Sequence, residues 1–78
     1  MSWDAEFKEP IILRDGRELA TLREAGEFIL ALPIRSQKRP SVEHAGELLV
    51  RAAAEGEPEA IGDARHQLMI ALRAERMI

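Results

Sequence analysis

The dipeptide Asp15-Gly16 is the feature that most constrains what this chain can fold into. It follows an apolar, β-branched run at 10–13 and precedes a second short segment at 17–20. Glycine readily adopts the positive φ that a tight hairpin turn needs. The sequence therefore predicts an N-terminal β-hairpin with strands over about 7–13 and 17–20.

The register of this hairpin follows from its side chains. A two-residue loop would set Arg14 against Arg17 and mix polar with apolar residues on both faces. A three-residue loop pairs Leu13 with Arg17 and Ile11 with Leu19. We predict the second register, which places four apolar side chains on one face: Phe7, Ile11, Leu13 and Leu19.

Three amphipathic helices are predicted after the hairpin, over about 22–32, 42–55 and 58–75. Thr21 and Glu24 form a capping box at the start of the first helix, and Ser41 is placed to cap the second helix. Gly56 suits a helix end, and apolar residues recur at helical spacing in all three segments. The predicted fold class is α+β with the order ββααα.

The domain organisation is simple for a chain of 78 residues. Residues 1–6 are predicted to be a flexible arm that could dock through Trp3, and 7–78 a single globular domain. Hydrophobic residues at 46% and charged residues at 32% favour a globular domain over a disordered segment. We identify no internal repeat and no low-complexity tract.

Composition also limits location and partners. The chain has no cysteine, so disulfides and thiolate metal sites are excluded, and a cytoplasmic location is expected. The apolar runs are far shorter than the roughly 18 residues that span a bilayer, and the acidic N-terminus does not resemble a signal peptide. The net charge of −3 disfavours nucleic acid. We expect neither membrane nor nucleic acid as a partner.

Several motifs together resemble a known family. The segments are Phe7-x-x-Pro10-Ile11, Asp15-Gly16-Arg17, Thr21-x-x-Glu24-Ala25-x-x-Phe28-Ile29, Leu32-Pro33, then Ala45, Leu49, Ala52, Gly56 and Ala64-Arg65. This pattern is similar to a family of small bacterial proteins catalogued as a domain of unknown function. The resemblance covers about 7–74 and implies an early hairpin followed by helices. It implies no activity and no functional residues.

Four apolar or amphipathic residues are candidates for an interface: Ile12, His66, Ile70 and Met77. Ile12 lies on the hairpin face opposite the predicted core. His66, Ile70 and Met77 lie on the outward side of the last helix, and the spacing of seven between Ile70 and Met77 predicts that they stack. The alternative is that single exposed apolar residues are normal on a protein surface.

Two polar clusters are weaker candidates. Arg35, Lys38 and Arg39 lie in the predicted loop between the first two helices and could bind an anion, although a short charged loop is usually only solvated. Glu43, His44 and Glu47 could reach one cation, but a third or fourth ligand of suitable geometry is not evident. An ordinary solvated helix face is the simpler interpretation, and we predict no metal site.

No constellation in the sequence indicates catalysis. The three serines lie in the arm, the basic loop and a cap position, without an adjacent base, and there is no glycine-rich phosphate loop. We predict a non-enzymatic protein-interaction module without a cofactor that self-associates as a homodimer or binds another protein. The alternative is a small-ligand or metal-binding regulatory protein using His44, His66 or the 35–39 loop.

Overall fold

The structure, a computed structural model, describes residues 1–78 and confirms the α+β class. An antiparallel hairpin is followed by four helices rather than the predicted three, because a short helix forms in the predicted loop. The elements are β1 (Glu6–Ile12), β2 (Glu18–Thr21), α1 (Leu22–Leu30), α2 (Ile34–Gln37), α3 (Pro40–Glu55) and α4 (Pro58–Ala74).

The hairpin has the predicted register. Ile11 lies opposite Leu19, and the Leu13 amide donates to the Arg17 carbonyl at 2.8 Å. Gly16 has a φ of +93°, so the three-residue loop places its positive φ on glycine. The pairing is irregular between Glu6 and Ile11, which is the stretch that contains a proline.

All sixteen buried residues are apolar, so one continuous hydrophobic core holds the molecule together. The four predicted apolar residues of the hairpin are buried in it, and α3 packs most extensively against α4. The largest side chains that are almost completely buried come from the hairpin and from each long helix: Ile11, Leu22, Leu49 and Leu68. Apolar burial is therefore the main stabilising contribution.

The start of α1 is capped as predicted. The Glu24 amide donates to the Thr21 hydroxyl at 3.1 Å, while the Glu24 carboxylate accepts from the Ala20 amide at 2.7 Å. The helix ends at Leu30, earlier than predicted. The Gln37 side-chain amide in α2 donates to carbonyls at the end of α1 and just beyond it, so α2 closes the end of α1.

The start of α3 differs from the prediction that Ser41 caps it. Arg39 is the N-cap and Pro40 is the first helical residue, which leaves Ser41 inside the first turn with no capping hydrogen bond. Proline is well suited to the first helical position, because it has no amide hydrogen to leave unpaired there. Gly56, with a φ of +69°, ends α3 as predicted.

The end of α4 corrects the predicted stacking of Ile70 on Met77. Arg76 has a φ of +59°, and the Met77 amide donates back to the Leu72 carbonyl at 2.8 Å, which is a Schellman closure. Met77 therefore leaves the helix and packs against the core, while Ile70 stays on the helix surface. The Met77 carbonyl also accepts from the Arg14 amide at 2.6 Å.

Residues 1–6, the arm that the sequence predicts to be flexible, make hydrogen bonds to α1 and α3. The Ser2 amide donates to the Ala53 carbonyl at 2.6 Å, and the Trp3 carbonyl accepts from the Arg23 amide at 2.8 Å. The Ala5 carbonyl accepts from another amide in the first turn of α1, that of Leu22. The arm thus satisfies donors that a helix N-terminus leaves free.

The length and apolar character required of a membrane-crossing helix are not found in any of the four helices.

Candidate functional site

The strongest candidate site is an apolar groove of about 490 Å³ on the surface between α1 and α3. Ile29 and Leu49 supply its buried floor, and Leu30 and Val50 lie beside them on the two helices. Leu30 is 75% exposed and Val50 is 52% exposed. The remaining lining residues are Trp3, Gly26, Gly46 and Glu47. Hereafter this site is called the α1–α3 groove.

A local sequence recurrence builds the groove. Leu22–Leu30 and 42–50 are each nine residues long, with Ala-Gly-Glu in the middle and three apolar residues at the end. The pattern of buried, half-buried and exposed positions is the same in the two segments, position for position. Two short helical segments therefore present the same face to the core and the same edge to the groove.

The alanine and glycine of each segment explain why the groove is open. Ala25 and Ala45 are completely buried, so the side chains nearest the core at these positions are small. The glycines that follow, Gly26 and Gly46, line the groove and contribute no side chain to fill it. A larger residue at either glycine would occupy the space.

Trp3 makes the two halves of the groove different. Its ring lies over Gly26, where a Cβ atom would be 3.4 Å from the nearest ring carbon. Apart from its two chain neighbours and the backbone of its own helix, no heavy atom lies within 4 Å of the corresponding Cβ position at Gly46. The half formed by α1 is therefore covered by the chain's own tryptophan, and the half formed by α3 is open.

An exposed ion pair helps to hold the arm in place. The Arg23 guanidinium donates to the Asp4 carboxylate at 2.9 Å. This hydrogen bond, followed by the charge of Arg23, lowers the pKa of Asp4 below its usual value. The same hydrogen bond, followed by the charge of Asp4, raises the pKa of Arg23. Because both groups are solvated, the pair contributes little stability.

The edge of the groove is acidic. Glu47 lines it, and Glu43 lies one turn earlier on α3. Neither takes part in an ion pair, since the ion pairs of the structure join Arg17 to Asp15, Arg23 to Asp4 and Arg39 to Glu75. Two carboxylates without an ion-pair partner thus accompany an apolar floor.

The predicted interface residues lie on β1, on α4 and in the turn that follows α4. Ile12 is 53% exposed on the outer face of the hairpin, and Ile70 is 41% exposed on α4, where His66 is also exposed. Met77 is half-buried beneath the hairpin turn, where it helps to line a shallow pocket of about 330 Å³.

The predicted anion site is partly engaged. Arg35 lies in α2, Lys38 is its C-cap residue and Arg39 is the N-cap residue of α3. The Arg39 guanidinium pairs with the Glu75 carboxylate at 3.0 Å, and the Glu75 side chain is only 11% exposed. Arg39 thus ties the start of α3 to the end of α4, which leaves Arg35 and Lys38 as the unpaired cations of this segment.

The histidine cluster gains no further ligands. Glu43, His44 and Glu47 all lie exposed on α3, and the structure contains no group of three or more histidine or acidic side chains arranged to hold a metal ion. Between α3 and α4 lies a cleft of about 210 Å³ with several acidic side chains around it. Binding of a small ligand or metal remains an untested prediction.

Comparison with known proteins gives no match to a family model, to a curated protein or to a solved structure. The resemblance to the small bacterial family therefore stays a prediction.

Sequence reasoning missed the α1–α3 groove. Leu30 and Val50 each end an apolar triplet, one position beyond a buried residue of the core stripe, Ile29 or Leu49. The detectable signal was the recurrence of Ala-Gly-Glu and an apolar triplet at an offset of twenty residues. It is too short to indicate a repeat architecture, but it indicates two helices with the same exposed edge.

Proposed function

We propose that this protein is a non-enzymatic interaction module that docks a helix of a partner protein through the α1–α3 groove. The exposure of Leu30 and Val50 on the two sides of one apolar groove carries the proposal. Isolated exposed apolar residues are common, but a pair that flanks an apolar depression is typical of a helix-binding surface.

The lining of the groove supports a binding role over a catalytic one. Glu47 is its one ionisable side chain, and no nucleophile or second acid–base group accompanies it. General acid–base and nucleophilic mechanisms both need a second, positioned group. An apolar floor with one solvated carboxylate suits recognition of a protein surface.

The charges at the groove favour a different protein over a second copy of this chain. A second copy laid over the groove would bring Glu43 and Glu47 towards the same two carboxylates, and like charges across an interface disfavour association. Self-association through the free edge of β1 is also disfavoured. Pro10 has no amide hydrogen, and the Glu9 carbonyl already accepts from Arg65 at 2.8 Å.

Site-specific photo-cross-linking in the native cell tests the proposal. A benzophenone amino acid is placed at Leu30 or Val50 in the groove, and at Ile70 on α4 as a control of similar character. We expect a discrete cross-linked protein from both groove positions and none from Ile70. A cross-linked dimer of this chain would instead support self-association. Equal products at all three positions, or none in the groove, would contradict docking there.

A further inference from the structure

We infer that the partner segment is a cationic amphipathic helix that seats one large apolar side chain, preferably aromatic, against Gly46. This inference rests on the proposed function and adds the chemistry of the occupant. It draws on the covered position at Gly26 and on the free carboxylates beside the groove.

The anchor is inferred from the way the chain fills the equivalent position itself. Trp3 lies over Gly26, with its ring at van der Waals distance from where a Cβ would be. Gly46 occupies the same place in the second nine-residue segment and has the same burial class, but nothing covers it. A partner side chain of similar shape would make the contact at Gly46 that Trp3 makes at Gly26.

The surroundings of Gly46 favour an apolar anchor. Leu49 forms the floor one turn further along α3, and Val50 stands half-exposed beside it. A buried aromatic side chain in such a pocket is the type of contact that dominates the energy of many protein interfaces. Glycine at position 46 lets the partner backbone approach α3 closely.

The charge of the partner is inferred from two carboxylates of α3 that have no ion-pair partner. Glu43 and Glu47 lie four residues apart on α3, beside the proposed anchor position. Lysine or arginine flanking the anchor would meet them across the edge of the interface. Charges at such an edge act mainly on specificity and association rate.

A helix of ordinary length fits the surface. A segment of about 14 residues is about 21 Å long, which is within the 24 Å of the middle molecular dimension. Packed over α1 and α3, it would cover the apolar sides of both helices. The proposed complex is therefore a helix lying in a groove between two helices.

Synthetic peptides provide the test, with emission from Trp3 as the readout, since the chain has one tryptophan and it lines the groove. The first probe is an amphipathic helix with a central phenylalanine, leucines one turn away and lysines on its flanks. The second replaces phenylalanine with alanine, and the third replaces every lysine with glutamate. The full 78-residue chain is used throughout.

We expect saturable binding of the first peptide and about thirtyfold weaker binding of the alanine peptide, because the anchor is lost. The glutamate peptide should not bind below about 1 mM. Glu47→Gln should weaken binding of the first peptide about two- to fivefold, which is the usual effect of an exposed charge pair. Equal affinity for the phenylalanine and alanine peptides would contradict the inferred apolar anchor.

Two matched variants separate the groove from the rest of the surface. Gly46→Leu fills the open position, and Gly62→Leu makes the same change at an exposed glycine of α4 whose Cβ position is also free of neighbours. We expect Gly46→Leu to abolish binding and Gly62→Leu to leave it unchanged. Retained binding in Gly46→Leu would overturn the inference.

The peptide result and the cross-linking result are independent. If no peptide binds while Leu30 and Val50 still give cross-links in the cell, the proposed chemistry of the partner is wrong and docking in the groove stands. If cross-linking also fails in the groove, the proposed function is wrong as well.

Discussion

The segments Leu22–Leu30 and 42–50 have the same pattern of burial and the same central Ala-Gly-Glu, but they meet different neighbours. In the first, Trp3 covers the glycine. In the second, the glycine faces open space. The comparison teaches that equal local sequences can build two equivalent edges of a groove, of which the chain fills one and leaves the other free.

The position of the N-terminal arm is the cause of this difference. The Ser2 amide donates a hydrogen bond to α3, and the Trp3 carbonyl accepts one from the first turn of α1. The arm therefore passes from one helix to the other at one end of the groove. Its tryptophan therefore reaches Gly26 and not Gly46. The predictions below test whether the two segments are equivalent apart from this cover.

Truncation of the groove floor should have the largest effect. Ile29→Ala and Leu49→Ala each remove a buried side chain at equivalent positions, and each should lower the free energy of unfolding by about 2–5 kcal/mol. Chemical denaturation measures both. A loss below about 1 kcal/mol in one variant but not in the other would show that the two segments are not equivalent in packing.

Removal of the Trp3 side chain, which covers Gly26, should lower stability less than truncation of the groove floor. Trp3 is half-buried and packs against the core, so Trp3→Ala should cost about 1–3 kcal/mol, less than a fully buried aromatic residue. Thermal unfolding followed by circular dichroism measures the change, with Met1→Ala as an exposed control. An unchanged midpoint would mean that the tryptophan does not stabilise the α1 half.

Substitution of the two glycines should separate the covered half from the open half. Gly46→Leu should raise the free energy of unfolding by up to about 1 kcal/mol, since leucine favours a helix over glycine and the space is free. Gly26→Leu should raise the free energy of unfolding by less, or lower it, because the new side chain must displace Trp3. Chemical denaturation compares the two variants. Equal increases in the free energy of unfolding would contradict the finding that Trp3 covers Gly26 and not Gly46.

The ion pair that accompanies the arm should have the smallest effect. The pKa of Asp4 is lowered by Arg23, so the folded state favours the charged carboxylate. The contribution of the ion pair to stability should be present when the pH is above 3.8, the ordinary pKa of the carboxyl. It should be lost as the pH falls through the lowered pKa of the folded state. In a carboxyl NMR titration, Arg23→Gln should raise the Asp4 pKa, with Asp15 as an unaffected reference.

Much of the fold could be predicted because local rules agreed with each other. The Asp15-Gly16 turn fixed a register that also buried four apolar residues, and the capping box at Thr21 marked the start of α1. The errors had two origins, one a contact between two helices and the other a local choice of helix start. Gln37 bonds to the carbonyls at the end of α1, and Pro40 rather than Ser41 opens α3.

The candidate site could not be predicted from single-helix patterns. Helical spacing places Ile70 and Met77 on one side, but the chain turns at Arg76 and takes Met77 to the core. The groove depends on how α1 and α3 lie side by side and on where the arm crosses them. Those are contacts between distant parts of the chain, whereas periodicity describes one helix at a time.

Cross-linking from Val50 in the native cell, in chains that also carry Gly46→Leu or Gly62→Leu, tests the central claim most directly. The groove account predicts that the partner adduct is lost with Gly46→Leu and retained with Gly62→Leu, at equal levels of folded protein. An adduct that persists when position 46 is filled, or that is lost equally in both variants, would contradict docking in the α1–α3 groove.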